Sequence, residues 1–177
     1  MMRVVLAAML LCACGGAAEF ESTADAPFDI SGVKSALFAA DSTSDARFAG
    51  AVLLLGTDKV ECDALQGITY ESDAAGLMGD GSGLIAVFDH EDYDADRGGP
   101  APDWQGKWTS GADAGGVEQH RALTLTVFEE GSVVEEALGA GGSVDLDTFD
   151  AKHVEGSFVH DYWTGTFRAD NCGVFGK

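Results

Sequence analysis

The segment Arg121-Ala122-Leu123-Thr124-Leu125-Thr126-Val127-Phe128 alternates apolar and polar side chains. Leu123, Leu125 and Val127 fall on one side of an extended chain, Thr124 and Thr126 on the other, which is the two-residue period of a half-buried strand. Similar short apolar segments lie before and after it, each broken by Gly, Asp or Ser. No segment keeps a helical spacing across three turns, and 24 glycines punctuate the 177 residues. The pattern predicts an all-β protein, an antiparallel β-sandwich or barrel of about seven to eight strands.

Asp29 to Phe38 and Phe48 to Leu55 read as the first two strands, with a polar turn from Asp41 to Asp45. Ala51-Val52-Leu53-Leu54-Leu55 is an unbroken apolar run, so it is expected at the centre of the sheet, buried on both faces. Lys59 to Leu65 suits a single helical turn carrying Cys62. Gly83 to Asp89, Gly142 to Phe149, His153 to His160 and Trp163 to Arg168 read as further strands. Asp150-Ala151-Lys152 and Asp161-Tyr162 mark turns between the last three. Gly156-Ser157-Phe158 and Gly165-Thr166-Phe167 share a rhythm in which Gly stands two places before an inward Phe.

The N-terminus has a different character. Arg3 precedes a short apolar stretch, Val4 to Leu11, and then small residues, as in a secretory leader. The stretch is too short for a membrane-spanning helix, which needs roughly 20 apolar residues. Leu11-Cys12-Ala13-Cys14 closes it in the form of a lipobox. In Leu11, Ala13 and Cys14 the chain resembles bacterial lipoproteins. The resemblance implies a signal peptide over 1–13, a new N-terminus at Cys14, and a diacylglyceryl thioether plus a further acyl chain, palmitate-type, on that residue. Two or more such chains make a stable membrane anchor. Gly15, where an Asp would signal inner-membrane retention, implies the outer membrane of a bacterial envelope. A plain secretory leader cut near Ala13 or Ala17 is the alternative. Residues 14–27 are small, polar and acidic, and read as a lipidated flexible tether reaching about 20 Å for a dozen residues. A single β-domain then fills 28–177.

The chain carries 30 acidic and 10 basic residues, a net charge of −20, and loss of Arg3 with the leader makes it −21. That charge excludes nucleic acid as a partner, because phosphates repel it. With Cys14 lipidated, Cys62 and Cys172 remain as a pair in an oxidising compartment, and a disulfide is expected. Neither has neighbouring Cys or His at zinc-ligand spacing. The chain from Val52 to Cys62 and the ending Gly165-x-Phe167-x-Ala169-x-x-Cys172 resemble small β-rich lipoproteins of deltaproteobacterial-type genomes. That resemblance implies an antiparallel β-fold stapled near its end, and no activity.

Candidate chemistry gathers between Asp89 and Trp104. Asp92, Asp94 and Asp96 alternate, and Asp103 follows eleven residues after Asp92. Calcium takes six to eight oxygens, and such carboxylates on a loop can supply several of them. The spacing is similar to an EF-hand loop, but Arg97 stands where the turn glycine belongs, so a solvated acidic loop is the ordinary reading and a calcium loop the alternative. Trp104 and Trp108 form a candidate aromatic platform for a glycan, against the ordinary reading of packed core indoles. His90, His120, His153 and His160 make no compact ligand set. The segment Gly79-Asp80-Gly81-Ser82-Gly83 lacks the glycines of a nucleophile elbow. No cofactor is expected, with calcium at Asp92, Asp94, Asp96 and Asp103 as the one alternative.

These readings favour a non-enzymatic, membrane-anchored envelope lipoprotein, a surface-displayed binding or structural module with a protein or glycan partner. The alternative is a calcium-assisted glycan-binding module or hydrolase using the acidic loop with Trp104 and Trp108.

Overall fold

The structure is a computed structural model that describes residues 16–22, 32–41, 49–68, 71–90, 104–109, 121–137 and 142–175. The described elements are nearly all β. They are β1 (Ala17–Ser22), β2 (Ser35–Asp41), β3 (Ala49–Gly56), α1 (Cys62–Gln66), a 3-10 helix (Glu71–Met78), β4 (Gly83–His90), β5 (Gly106–Thr109), β6 (Arg121–Glu129), β7 (Ser132–Ala137), β8 (Ser143–Phe149), β9 (His153–Val159) and β10 (Trp163–Phe175). They form a single ten-stranded sheet in the order β5-β8-β9-β10-β2-β3-β4-β6-β7, with β1 paired to β10 beside that path. The sheet curls into a half-barrel.

The expected all-β class is found, with two corrections. The sheet is mixed, because β10 pairs with β2 in parallel through Asp170↔Leu37 and Asn171↔Phe38. Among the described residues the strands number ten rather than about seven to eight. The short strands β5 and β7 carry weak local signals, and β7 enters through Glu130-Gly131. Both of these residues take positive φ, 48° and 73°. This is the geometry of a tight two-residue hairpin turn, which a Glu at its first position disguises. Residues 17–22, read above as part of the tether, are strand β1, in register with β10 from Ala17↔Arg168 to Ser22↔Trp163. Their alternation explains the difference: half-buried Ala18 and Phe20 pack against the core, while Glu19 and Glu21 are exposed.

Curling creates two cores from one sheet. On the concave side Phe38, Leu53, Leu55, Phe88, Leu125, Phe158 and Trp163 are buried together with Trp104 and Trp108. Phe88 on β4 meets Trp108 on β5 edge-on at 5.2 Å, although these strands are not neighbours in the sheet. On the convex side of β2, β3 and β4, Leu37, Val52, Leu54 and Ile85 pack beneath Leu65 of α1 and Ala74 and Met78 of the 3-10 helix. Ala51 to Leu55 are therefore fully buried on both faces, as their unbroken apolar run predicts.

Cys62 and Cys172 form a disulfide, with Cα atoms 5.2 Å apart. It ties the start of α1 to the irregularity in β10 between Asn171 and Val174. The Gln66 side-chain amide donates to the Cys172 carbonyl at the same junction. The bridge thus locks α1 to the strand that makes the parallel pairing with β2.

Candidate functional site

The expected site residues separate in the structure. Trp104 and Trp108 lie in the concave core, 6% and 0% exposed. Their rings stack at 5.7 Å, and the Trp108 indole N–H donates to the Trp104 carbonyl at 2.9 Å. Fully buried Trp108 has no face free for a sugar ring, and the stacked pair packs in the concave core, where β5 pairs with β8. Cys14 and the calcium candidates Asp92, Asp94, Asp96 and Asp103 lie outside the described residues. Among the described residues no group of three or more His, Cys, Asp or Glu side chains is placed to hold a metal ion.

His153 and His160, seven residues apart along β9 and the residue after it, fall on opposite sides of the sheet. His160 follows β9 on the buried side, 3% exposed, stacked on Trp163 at 5.4 Å. Its Nδ1 accepts the Tyr162 backbone N–H at 3.4 Å, leaving Nε2 as the other ring nitrogen. That nitrogen has no hydrogen-bond partner among the described residues. His153 stands on the opposite side, half-exposed, beside Arg168 and Asp170. Ser82 serves packing: its hydroxyl accepts the Glu130 N–H, and its own N–H donates to the Thr57 hydroxyl.

What the structure does bring together is a polar patch on the convex side of β1, β8, β9 and the first part of β10, away from the end of β10 that Cys62–Cys172 ties to α1. Arg168 and Glu155 face each other across β10 and β9, with Nε to Oε1 at 3.2 Å. Arg168 also reaches the His153 ring at 3.3 Å, and His153 lies 3.9 Å from the Asp170 carboxylate. Half-exposed pairs of this kind contribute little to stability, about 0–1 kcal/mol. Beside them opens a cleft of about 380 Å³ lined by Ala17, Ala18, Glu19, Asp147, Glu155, Gly156, Thr166, Phe167 and Arg168. Asp147 reaches it because a register shift between Leu146 and Thr148 interrupts the β8–β9 pairing.

The neighbouring β8–β9 turn is closed by Asp150. Its Oδ1 accepts the Lys152 N–H at 2.7 Å and the His153 N–H at 2.8 Å. Those two bonds, the Lys152 one first, hold the Asp150 carboxyl below the ordinary carboxylate range. The sequence did mark this turn. It did not single out Arg168 or Glu155, whose meeting depends on strand register. The alternation of Thr164, Thr166 and Arg168 was the available sign that this side of β10 faces solvent.

No known protein family, no curated protein and no solved structure matches the chain.

Proposed function

We propose that the protein is an exported lipoprotein of a bacterial envelope, a disulfide-closed β-domain held at a membrane by acyl chains on Cys14. It serves a binding or structural role there, without catalysis. The observation that carries the proposal is Leu11-Cys12-Ala13-Cys14 behind a short apolar stretch with Arg3 at its head. The Cys62–Cys172 bridge supports it, since such bonds persist in oxidising compartments and are rare in the cytosol. Gly15 directs the anchored form toward the outer membrane rather than the inner. The burial of Trp104 and Trp108 favours this reading over glycan recognition through those indoles.

Labelled palmitate supplied to a bacterial host expressing the full chain tests it. The wild type should take up label and fractionate with membranes, and Cys14→Ser should do neither. Label retained in Cys14→Ser would overturn the proposal.

A further inference from the structure

We infer that the anchor is too short to let the domain roam, and that it holds the convex polar flank of β1, β9 and β10 against the headgroup layer. The inference rests on lipidation at Cys14. Composition alone made 14–27 a tether of about 20 Å. In the structure, β1 is paired to β10 from Ala17 onward, so the folded domain begins directly after the lipid site. Gly16 is already fixed: a side chain there would meet the carbonyls of Ala36 and Arg168 and the Ala36 methyl. From Cys14 to Gly16 the chain spans at most about 7 Å, even fully extended.

The direction of exit follows from the surroundings of Gly16. Beyond it, β2 takes over the edge of β10, at Asp170↔Leu37. The concave side is filled by the core that includes Phe158, Phe167 and Trp163. A lipid attached two residues upstream therefore meets a membrane from the convex side. There the exposed residues are Ala17, Glu19, Thr166 and Arg168, with half-buried Glu155 beside them. Glu19, Asp147 and Glu155 line the cleft with Arg168 among them. The span of about 7 Å from Cys14 to Gly16 holds the start of β1, and with it the flank that it shares with Arg168, close to the headgroup layer. Carboxylates around one guanidinium fit a zwitterionic headgroup, whose ammonium meets the carboxylates and whose phosphate meets Arg168. They do not fit a purely anionic surface.

The test uses the full-length lipidated protein in phosphatidylethanolamine–phosphatidylcholine vesicles containing a headgroup-nitroxide lipid. A fluorescent residue is placed at Thr166, on the flank, or at Glu130, in the β6–β7 turn. Quenching at 166 should exceed quenching at 130 severalfold. Twelve Gly/Ser residues inserted between Gly15 and Gly16 should bring the two close to equal. Equal quenching without the insertion, in protein that floats with the vesicles, would overturn the orientation and leave the lipidation reading standing. Wild-type protein that fails to float would overturn both.

Discussion

At the scale of single residues, Gly156 and Gly165 show how the last two strands are specified. The register places Gly156 opposite Phe167 and Gly165 opposite Phe158, so each glycine receives the ring carried by the other strand. A Cβ on Gly165 would come within 2.2 Å of the Glu19 carbonyl oxygen and 2.9 Å of the Phe158 ring, and one on Gly156 within 2.0 Å of the Asp145 carbonyl oxygen and 3.0 Å of the Phe167 ring. The Gly-x-Phe rhythm was legible in the sequence. Its reason was not, because a cross-strand partner is a property of register. Gly165→Ala and Gly156→Ala should each destabilise by about 1–3 kcal/mol through overpacking, read as a lowered urea midpoint with unchanged slope. Trp108→Ala empties a fully buried site and should cost about 3–5 kcal/mol. Asp150 gives a pH signature. Its carboxyl is held below the ordinary range in the folded state, so its contribution is fully present at neutral pH. It is lost as pH falls through that lowered value. Asp150→Ala should flatten the acid limb of a stability-against-pH profile, and an unchanged limb would contradict the assigned role.

At the scale of elements, legibility followed the reach of the local signals. β3, β4, β6, β8 and β9 stand close to where hydrophobic period and turn residues placed them, as does α1 with Cys62. β1 was hidden inside a polar, acidic segment whose composition outweighed its alternation, although Ala18 and Phe20 do face the core. Phe20 tilts against Phe158 with centroids 5.0 Å apart. Phe20→Ala should therefore cost about 2 kcal/mol, a loss that a free tether would not produce. Residues Asp170 to Phe175 of β10 were missed because their partner in the parallel ladder is β2, far away in sequence. No turn chemistry announces such a pairing. The disulfide at that junction closes a long loop, with its cysteines 110 residues apart. Replacing both with Ser should cost about 2–5 kcal/mol, seen as a lower melting temperature in the absence of reductant.

At the scale of the whole molecule, one sheet serves three surfaces. Among the described residues its concave side is core, its convex side over β2 to β4 and the end of β10 is covered by α1 and the 3-10 helix, and its convex side over β8, β9 and the first part of β10 is polar. The all-β class was legible because it needs only period and punctuation. The polar patch was not, because it depends on how the sheet curls and on which strand faces are left uncovered. The central claim joins this fold to the envelope: a leader cut before Cys14, lipid on Cys14, and a closed Cys62–Cys172 bridge in one molecule. Intact mass spectrometry of the full chain, expressed in a bacterial host and extracted from membranes without reductant, reads all three at once. The account predicts a mass lacking residues 1–13, raised by acyl groups that hydrolysis removes, and two hydrogens short of the dithiol. A chain that retains residues 1–13, or carries no lipid, or takes up two alkyl groups without prior reduction, would contradict it.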